Sequence, residues 1–348
     1  MLRQNVLKIG ILALIISSSA ACNIYAQSSA KEAVEKGIEL DRSKKYDEAI
    51  AEYSKAIELD PKNEHAYVNR AYDYSKKGNL DQAIVDNSTA IKINPKNANT
   101  YFYRANNYRK KGDFDKAITD FSEVIKINPQ DVMAYFSRGW TYSAKGDLDQ
   151  AIADYSKAIE FDPKSDKAYF MRGGAYRKKA NLNQAIADYS EVIKINPQDT
   201  RAYSSRCSVF LVKGDLDQAI VDCGKAIALD PKNDDAYSFL GNAYNDQQKY
   251  DQAILYLTKA VELDPEFANA YASRGYAYYK KGNYAKAISD CARAIELNPN
   301  DATSYYNRAF AYYSQKEYGK AWNDVRKAEK LGLKVDQKFV ETLKQFIA

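Results

Sequence analysis

The placement of proline constrains this chain more than any other feature. Its eight prolines are Pro61, Pro95, Pro129, Pro163, Pro197, Pro231, Pro265 and Pro299, each 34 residues after the one before. Proline has no backbone donor and pushes the residue before it out of the helical region, so each one marks a joint between helices. Asp or Asn precedes every one, as in Asp60-Pro61 and Asn94-Pro95, which suits a turn. A chain of 348 residues could form two or three compact domains, but this one is written as a single motif copied many times.

Between joints the apolar residues fall at helical spacing in two runs. In the fourth copy Tyr135, Gly139 and Tyr142 share one helical face, and Leu148, Ala151, Ile152, Tyr155, Ala158 and Ile159 share a second. Each copy therefore predicts a helix pair. Lys145-Gly146 ends the first helix with a residue tolerant of positive φ; Asp147 is expected to cap the second, with Gln150 three residues on as its capping-box partner. Similar signals recur at Gly78-Asn79, Gly112-Asp113, Gly214-Asp215 and Gly282-Asn283.

A helix-turn-helix motif of this length and pattern resembles the tetratricopeptide repeat family. The family's marks are Tyr135, Gly139, Tyr142, Ala151, Tyr155, Ala158 and Pro163 in the fourth copy. The resemblance implies an all-α fold, a right-handed α-solenoid of about nine 34-residue repeats: 30–63, 64–97, 98–131, 132–165, 166–199, 200–233, 234–267, 268–301 and 302–335. The ninth keeps Tyr305, Ala309, Tyr312, Ala321 and Ala328 but has Leu331-Gly332-Leu333 where the others have proline. Residues 336–348 are expected to form a C-terminal capping helix, over about 337–346.

Ala49, Ala83, Ala117, Ala151, Ala185, Ala219, Ala253, Ala287 and Ala321 hold the same place in all nine copies, where a small side chain lets two helices approach and a larger one would overpack. Seven copies pair an Arg on the first helix with an Asp on the second: Arg70/Asp86, Arg104/Asp120, Arg138/Asp154, Arg172/Asp188, Arg206/Asp222, Arg274/Asp290 and Arg308/Asp324. The exceptions change together: Lys36/Glu52 keeps both charges, and Leu240/Tyr256 loses both. This predicts a partly buried ion pair inside each repeat, for which removing one partner costs more than removing both.

Residues 1–26 read as a secretory signal peptide, with Arg3 and Lys8, then the apolar run 9–16, then small residues. Two cleavages compete. One follows Ala21 and leaves Cys22 for lipidation, although Ser19 stands where such sites usually carry an aliphatic residue; the other follows Ala26 and releases the chain. Either way the protein is expected to be exported, to the periplasm or a membrane-anchored place in the cell envelope, or secreted if not lipidated. The formal charge of +5, with acids and bases interspersed, argues against nucleic acid. The one histidine, His65, has no acidic or cysteine partner in the repeat pattern and reads as surface; no metal site, cofactor or glycine-rich nucleotide loop is expected. Cys207 and Cys223 occupy the small and aromatic places that should face each other across one hairpin, and are either a disulfide or two small core thiols; Cys291 reads as core.

No acid, base or nucleophile departs from the repeat in a coordinated cluster, so the chain is expected not to be an enzyme. The resemblance implies that first helices line a concave face that holds ligands. The non-packing positions of those helices carry Phe102, Tyr103, Asn106, Arg109, Lys110, Phe136, Trp140, Phe170, Met171, Arg177 and Lys178, then Phe239, Asn242, Tyr276, Tyr279, Tyr306, Phe310 and Tyr313. Such a face suits an extended peptide through stacking, cation–π contacts and backbone hydrogen bonds. The Lys/Asn/Arg clamp by which relatives hold a chaperone's C-terminal carboxylate is not reproduced: Phe102 stands four residues before Asn106, and Ser238 before Asn242. The expected function is a scaffold for other proteins in the envelope, assisting assembly of a surface or secretion complex; the alternative is a module that binds glycan.

Overall fold

The computed structural model describes residues 27–347. The expected signal peptide, with its two candidate cleavages and Cys22, lies outside them. Among the described residues all regular structure is helical, in two compact units, one ending at Ala168 and the other beginning at Tyr169. The first holds α1 (27–42), α2 (Tyr46–Leu59), α3 (Glu64–Lys76), α4 (Leu80–Ile93), α5 (Ala98–Lys110), α6 (Phe114–Ile127), α7 (Val132–Lys145) and α8 (Leu148–Phe161). The second holds most of α9 (Asp166–Lys178), then α10 (Leu182–Ile195), α11 (Thr200–Lys213), α12 (Leu216–Leu229), α13 (Asp234–Asp246), α14 (Tyr250–Leu263), α15 (Ala268–Lys280), α16 (Tyr284–Leu297), α17 (Ala302–Ser314), α18 (Tyr318–Lys330) and α19 (Gln337–Lys344). Odd-numbered helices up to α17 are the first helices of repeats, hereafter A helices; even-numbered ones are the second, B helices. Within each unit an A helix packs on its own B helix, and the B helix packs on the next A helix.

The joints follow from local chemistry. Most A helices start at an Asn or Asp whose side chain accepts a backbone N–H, as Asn63 does from Ala66, Asp131 from Ala134 and Asn233 from Ala236. The turn into the B helix always needs a left-handed residue. Gly78, Gly112, Gly146, Gly214 and Gly282 supply it, and Lys44, Ala180, Gln248 and Lys316 adopt the same conformation in the remaining repeats, with φ of 58° to 65°.

The expected cap at Asp147 is corrected. Its side chain makes no cap hydrogen bond, and neither do those of Asn79, Asp113, Asn181 and Asp215; Asn283 is the B-helix cap that does bond, to Lys286. After the left-handed residue, ψ at these caps is 64° to 68°, short of the 90° to 99° at most capping residues of the A helices. Asp147 instead reaches 3.5 Å from Lys145.

The nine repeated alanines are all 0 % exposed. Beside them a small residue of the A helix meets the large residue of the B helix: a Cβ on Gly139 would come within 3.1 Å of the Tyr155 ring, and one on Gly173 within 3.0 Å of Tyr189. The glycine and the ring occupy one space. Burying a side chain such as Phe121 there contributes about 1.5–3 kcal/mol.

All seven Arg–Asp pairs form. Arg138 donates from Nε and Nη2 to the two carboxylate oxygens of Asp154, at 2.8 and 2.7 Å, and the side chains are 19 % and 7 % exposed. Its remaining nitrogen, Nη1, donates to Ser122 in the preceding repeat at 2.9 Å. Arg70, Arg104, Arg206 and Arg274 repeat the bond to Ser54, Ser88, Ser190 and Thr258. Lys36 and Glu52 form the ion pair of the first repeat. In the seventh, Leu240 and Tyr256 pack as apolar groups, and Gly224 stands in the preceding repeat where Ser54, Ser88, Ser122, Ser156, Ser190 and Thr258 stand in others; Arg308 of the ninth keeps its aspartate but faces Ala292 at that place.

The C-terminal helix forms as expected, shorter than the sequence suggests. Phe339 and Leu343 stand 34 residues after Tyr305 and Ala309, so α19 imitates the A helix of a further repeat. Leu343 is 0 % exposed.

Asp154→Ala alone leaves a sheltered guanidinium unpaired and should cost about 3 kcal/mol or more in denaturant unfolding. Arg138→Leu with Asp154→Tyr, copying the seventh repeat, should cost less than the sum of the single changes by about 1 kcal/mol or more. Strict additivity in that cycle would mean that the bonds contribute nothing.

Candidate functional site

The A helices bring the predicted ligand residues into touch from one repeat to the next. In the first unit Arg109 of α5 lies over the Trp140 ring of α7, 4.4 Å from its centre. Arg109 Nη2 donates to Asn106 Oδ1 at 3.0 Å, and Asn106 Nδ2 donates to the carbonyl of Phe102 at 2.9 Å, which fixes the amide. Burial lowers the proton affinity of Arg109. Tyr103 and Tyr72 meet edge to face at 6.4 Å, both 39 % exposed, and Lys110 donates to Ser75 Oγ at 3.2 Å. Tyr72, Ser75 and Lys76 stand 34 residues before Asn106, Arg109 and Lys110 and belong to the same face; the repeat spacing pointed to them, but their own copy offered no Trp to draw notice.

Other predicted residues sit lower. Phe102 packs on Phe121 at 5.4 Å, Phe136 on Tyr155 at 5.8 Å and Phe170 on Tyr189 at 5.5 Å, so these three are half-buried and show the face an edge. In the second unit Arg201 covers the Phe170 ring at 5.1 Å, Met171 is half-buried, and Arg177 and Lys178 are exposed. Phe239 packs beside Leu240, and Asn242 is half-buried. Tyr279 stacks on Phe310 at 5.7 Å, and Tyr276 meets Tyr250 at 6.4 Å with Lys280 5.9 Å from its ring centre. Tyr306, Phe310 and Tyr313 gather under Phe339 of α19, at 6.1, 4.4 and 5.4 Å. The capping helix thus covers the rings of the ninth repeat.

The two cysteines left open by the sequence are joined: Cys207 and Cys223 form a disulfide between α11 and α12, with α-carbons 5.5 Å apart. The bridge fills the space that Gly139 and Tyr155 fill elsewhere. Cys291 is a buried free thiol, and burial pushes it up to about 12. His65 is exposed, and among the described residues no group of three His, Cys, Asp or Glu is placed to hold a metal ion.

One feature of the second repeat escaped the sequence reading. Asp73 is 0 % exposed, and neither carboxyl oxygen has a donor partner. Burial, then the neighbouring Asp41, raises its pKa to about 7. In the same repeat Asn87 replaces the aromatic residue of the B helix and is buried with both amide atoms unpartnered. Asn87 is visible in sequence as a break in the repeat pattern; Asp73 is not, because Glu39, Asn107 and Thr141 hold its place in neighbouring copies.

These observations define a class first: helical-hairpin repeats whose A helices present a continuous row of side chains within each unit. Models of the tetratricopeptide repeat match residues 64–97, 88–119, 104–166, 166–199, 268–301 and 291–323, and a TPR repeat model matches 42–76, 208–247 and 241–282. The chain belongs to the tetratricopeptide repeat family. Among solved structures it is similar to a tetratricopeptide repeat protein from Parabacteroides merdae, with 20 % identity and a TM-score of 0.58 over 72 % of this chain and 99 % of that one. It is also similar to a chain of the Cut9–Hcn1 hetero-tetramer of APC/C, with 21 % identity and a TM-score of 0.54 over 76 % of this chain and 52 % of that one. At these identities the likeness is one of fold. No curated protein matches the sequence. Proteins of this family are scaffolds for protein–protein interaction, and the chain is a scaffold of that kind.

Two outcomes follow. The folded state holds the proton of Asp73, so between about pH 4 and pH 7 it binds more protons than the unfolded chain and stability falls as pH rises through that window. Asp73→Asn should flatten that slope and raise the melting temperature at pH 8, because the amide stays neutral where the wild type must bury a carboxylate beside Asp41. A variant with the wild-type pH profile would show that Asp73 does not carry the slope. Separately, reduction of the Cys207–Cys223 bridge, which closes a separation of 16 residues, should cost about 3 kcal/mol. Cys207→Gly with Cys223→Tyr should melt at the same temperature with and without reductant.

Proposed function

We propose that the protein is an exported, non-catalytic scaffold that holds extended segments of partner proteins on the A-helix faces of its repeats, in the cell envelope, and there assists assembly of a surface or secretion complex. One observation carries this reading: in each unit side chains of successive A helices stack on one another, Arg109 on Trp140 in the first and Tyr279 on Phe310 in the second. An extended peptide presents its groups at regular intervals, and a row of rings and amides offers matching stacking and hydrogen-bond partners. The predicted leader supports export, and so does the Cys207–Cys223 disulfide, because such bonds persist in oxidising compartments. Cys22 is the lipid attachment site if cleavage follows Ala21, and then anchors the array to the membrane.

Crosslinking and capture from envelope fractions, with wild type beside Trp140→Ala and Tyr279→Ala, tests the reading. Loss of an aromatic anchor should weaken captured protein partners by about 2 kcal/mol or more. The same partners retained at full strength by both variants would refute the A-helix face as the site, and retention on polysaccharide without protein partners would favour glycan binding. The mass of the mature N-terminus, beginning at Cys22 with lipid or at Gln27, decides between the two cleavages.

A further inference from the structure

Folding normally takes a cation out of water only when it supplies an anion. The guanidiniums of the Arg–Asp series obey this rule; Arg109 does not. Its Nη2 is satisfied by Asn106, its Nε is buried with no hydrogen-bond partner, and its plane lies on Trp140. Two more cations on the same face, both exposed, also lack an acidic partner. Lys110 donates to Ser75 and Lys76 sits 4.9 Å from the centre of the Tyr72 ring, and among the described residues no carboxylate pairs with either of them or with Arg109. The lysines next to this face behave otherwise, since Lys77, Lys111 and Lys145 reach back to Asp47, Asp81 and Asp115 of the preceding repeats. Carboxylates thus form ion pairs with cations at the loop end of these helices and with none of the three on their ligand face among the described residues.

We infer that the A-helix face of repeats two to four is a recognition site for an acidic extended peptide, with Asp or Glu carboxylates of the ligand taken by Arg109 and by Lys110. This rests on the reading of that face as a peptide site and adds the chemistry of the peptide. Trp140 and Asn106 hold the guanidinium in place, so little side-chain freedom is lost when the carboxylate arrives. Arg109 Nη1 has no partner among the described residues and is the nitrogen left for the ligand. Tyr72 and Tyr103 flank the cations with exposed ring edges, which take the apolar stems between acidic groups. A polyanion without apolar groups would leave those rings unused. The arrangement differs from the clamp absent in the sequence, because the cations stand at the C-terminal ends of α3 and α5 and a tryptophan backs one of them.

An array of random decapeptides probed with the purified full chain, at low and high salt, tests this. Peptides enriched in Asp and Glu should bind, lose affinity with salt, and bind roughly tenfold or more weakly to Arg109→Gln and to Lys110→Gln. Arg109→Gln should melt within a few degrees of wild type, because the contact with Trp140 that it loses is offset by removal of a buried charge that has no acidic partner. Binding peptides with no acidic enrichment would overturn this inference and leave the general peptide reading standing. Acidic binders indifferent to both variants would also overturn it. An array that captures no peptide removes both readings, and heparin bound more tightly than any peptide in an Arg109-dependent way would replace the peptide with a polyanion.

Discussion

A guanidinium that bonds both oxygens of an aspartate in its own repeat and a hydroxyl in the repeat before sets the spacing of this molecule. The fork of arginine satisfies the carboxylate in one plane, and the third nitrogen is free to point backwards along the stack. Arg138, Asp154 and Ser122 show the full set. A hairpin alone can complete only part of it. Polar groups this sheltered are costly when partly satisfied, so the network penalises any repeat that slides or rotates against its neighbour. The seventh repeat replaces all three groups, with Leu240, Tyr256 and Gly224, while the ninth keeps Arg308 and Asp324 and has Ala292 in place of the hydroxyl.

Once backbone spacing is fixed in this way, the ligand face becomes a set of columns in which chemistry can vary without disturbing the fold. The structural places hold alanine, or a small residue against a ring; the face places hold whatever a partner requires. In the first unit that chemistry is cationic and aromatic, around Arg109, Lys110, Tyr103 and Trp140. In the second it becomes mainly tyrosine and phenylalanine toward the C-terminus, at Tyr276, Tyr279 and Phe310. The disulfide shows how tolerant the structural places are as well: two sulfurs fill the room of a glycine and a tyrosine.

The helix pairs, their turns and the Arg–Asp pairs were legible in the sequence because each depends on residues at fixed separation along the chain. What could not be read depends on depth. Phe102, Phe136 and Phe170 fall at face positions by helical spacing, yet each leans onto the ring of its own B helix. Spacing gives a direction from the helix axis and not the distance to the next helix. The rings of the ninth repeat were read as open because nothing in their own copy reveals that Phe339 lies over them. The caps failed for a related reason: Asp147 has the right residue type and place, but its ψ of 68° falls short of the 90° to 99° at most capping residues of the A helices, and spacing does not reveal a backbone angle. Asp73 went unread because a buried carboxyl looks like any exposed helix-face acid until its surroundings are known.

The covering of Tyr306, Phe310 and Tyr313 by α19 has a consequence for assembly. A repeat array is made of surfaces that fit the next copy of themselves, so a bare last repeat would offer another molecule's first repeat the contact it was built to make. That contact is head-to-tail and does not close, and its product is a fibre. Phe339 and Leu343 stand where a tenth repeat would begin, so α19 occupies the surface that such a contact would use.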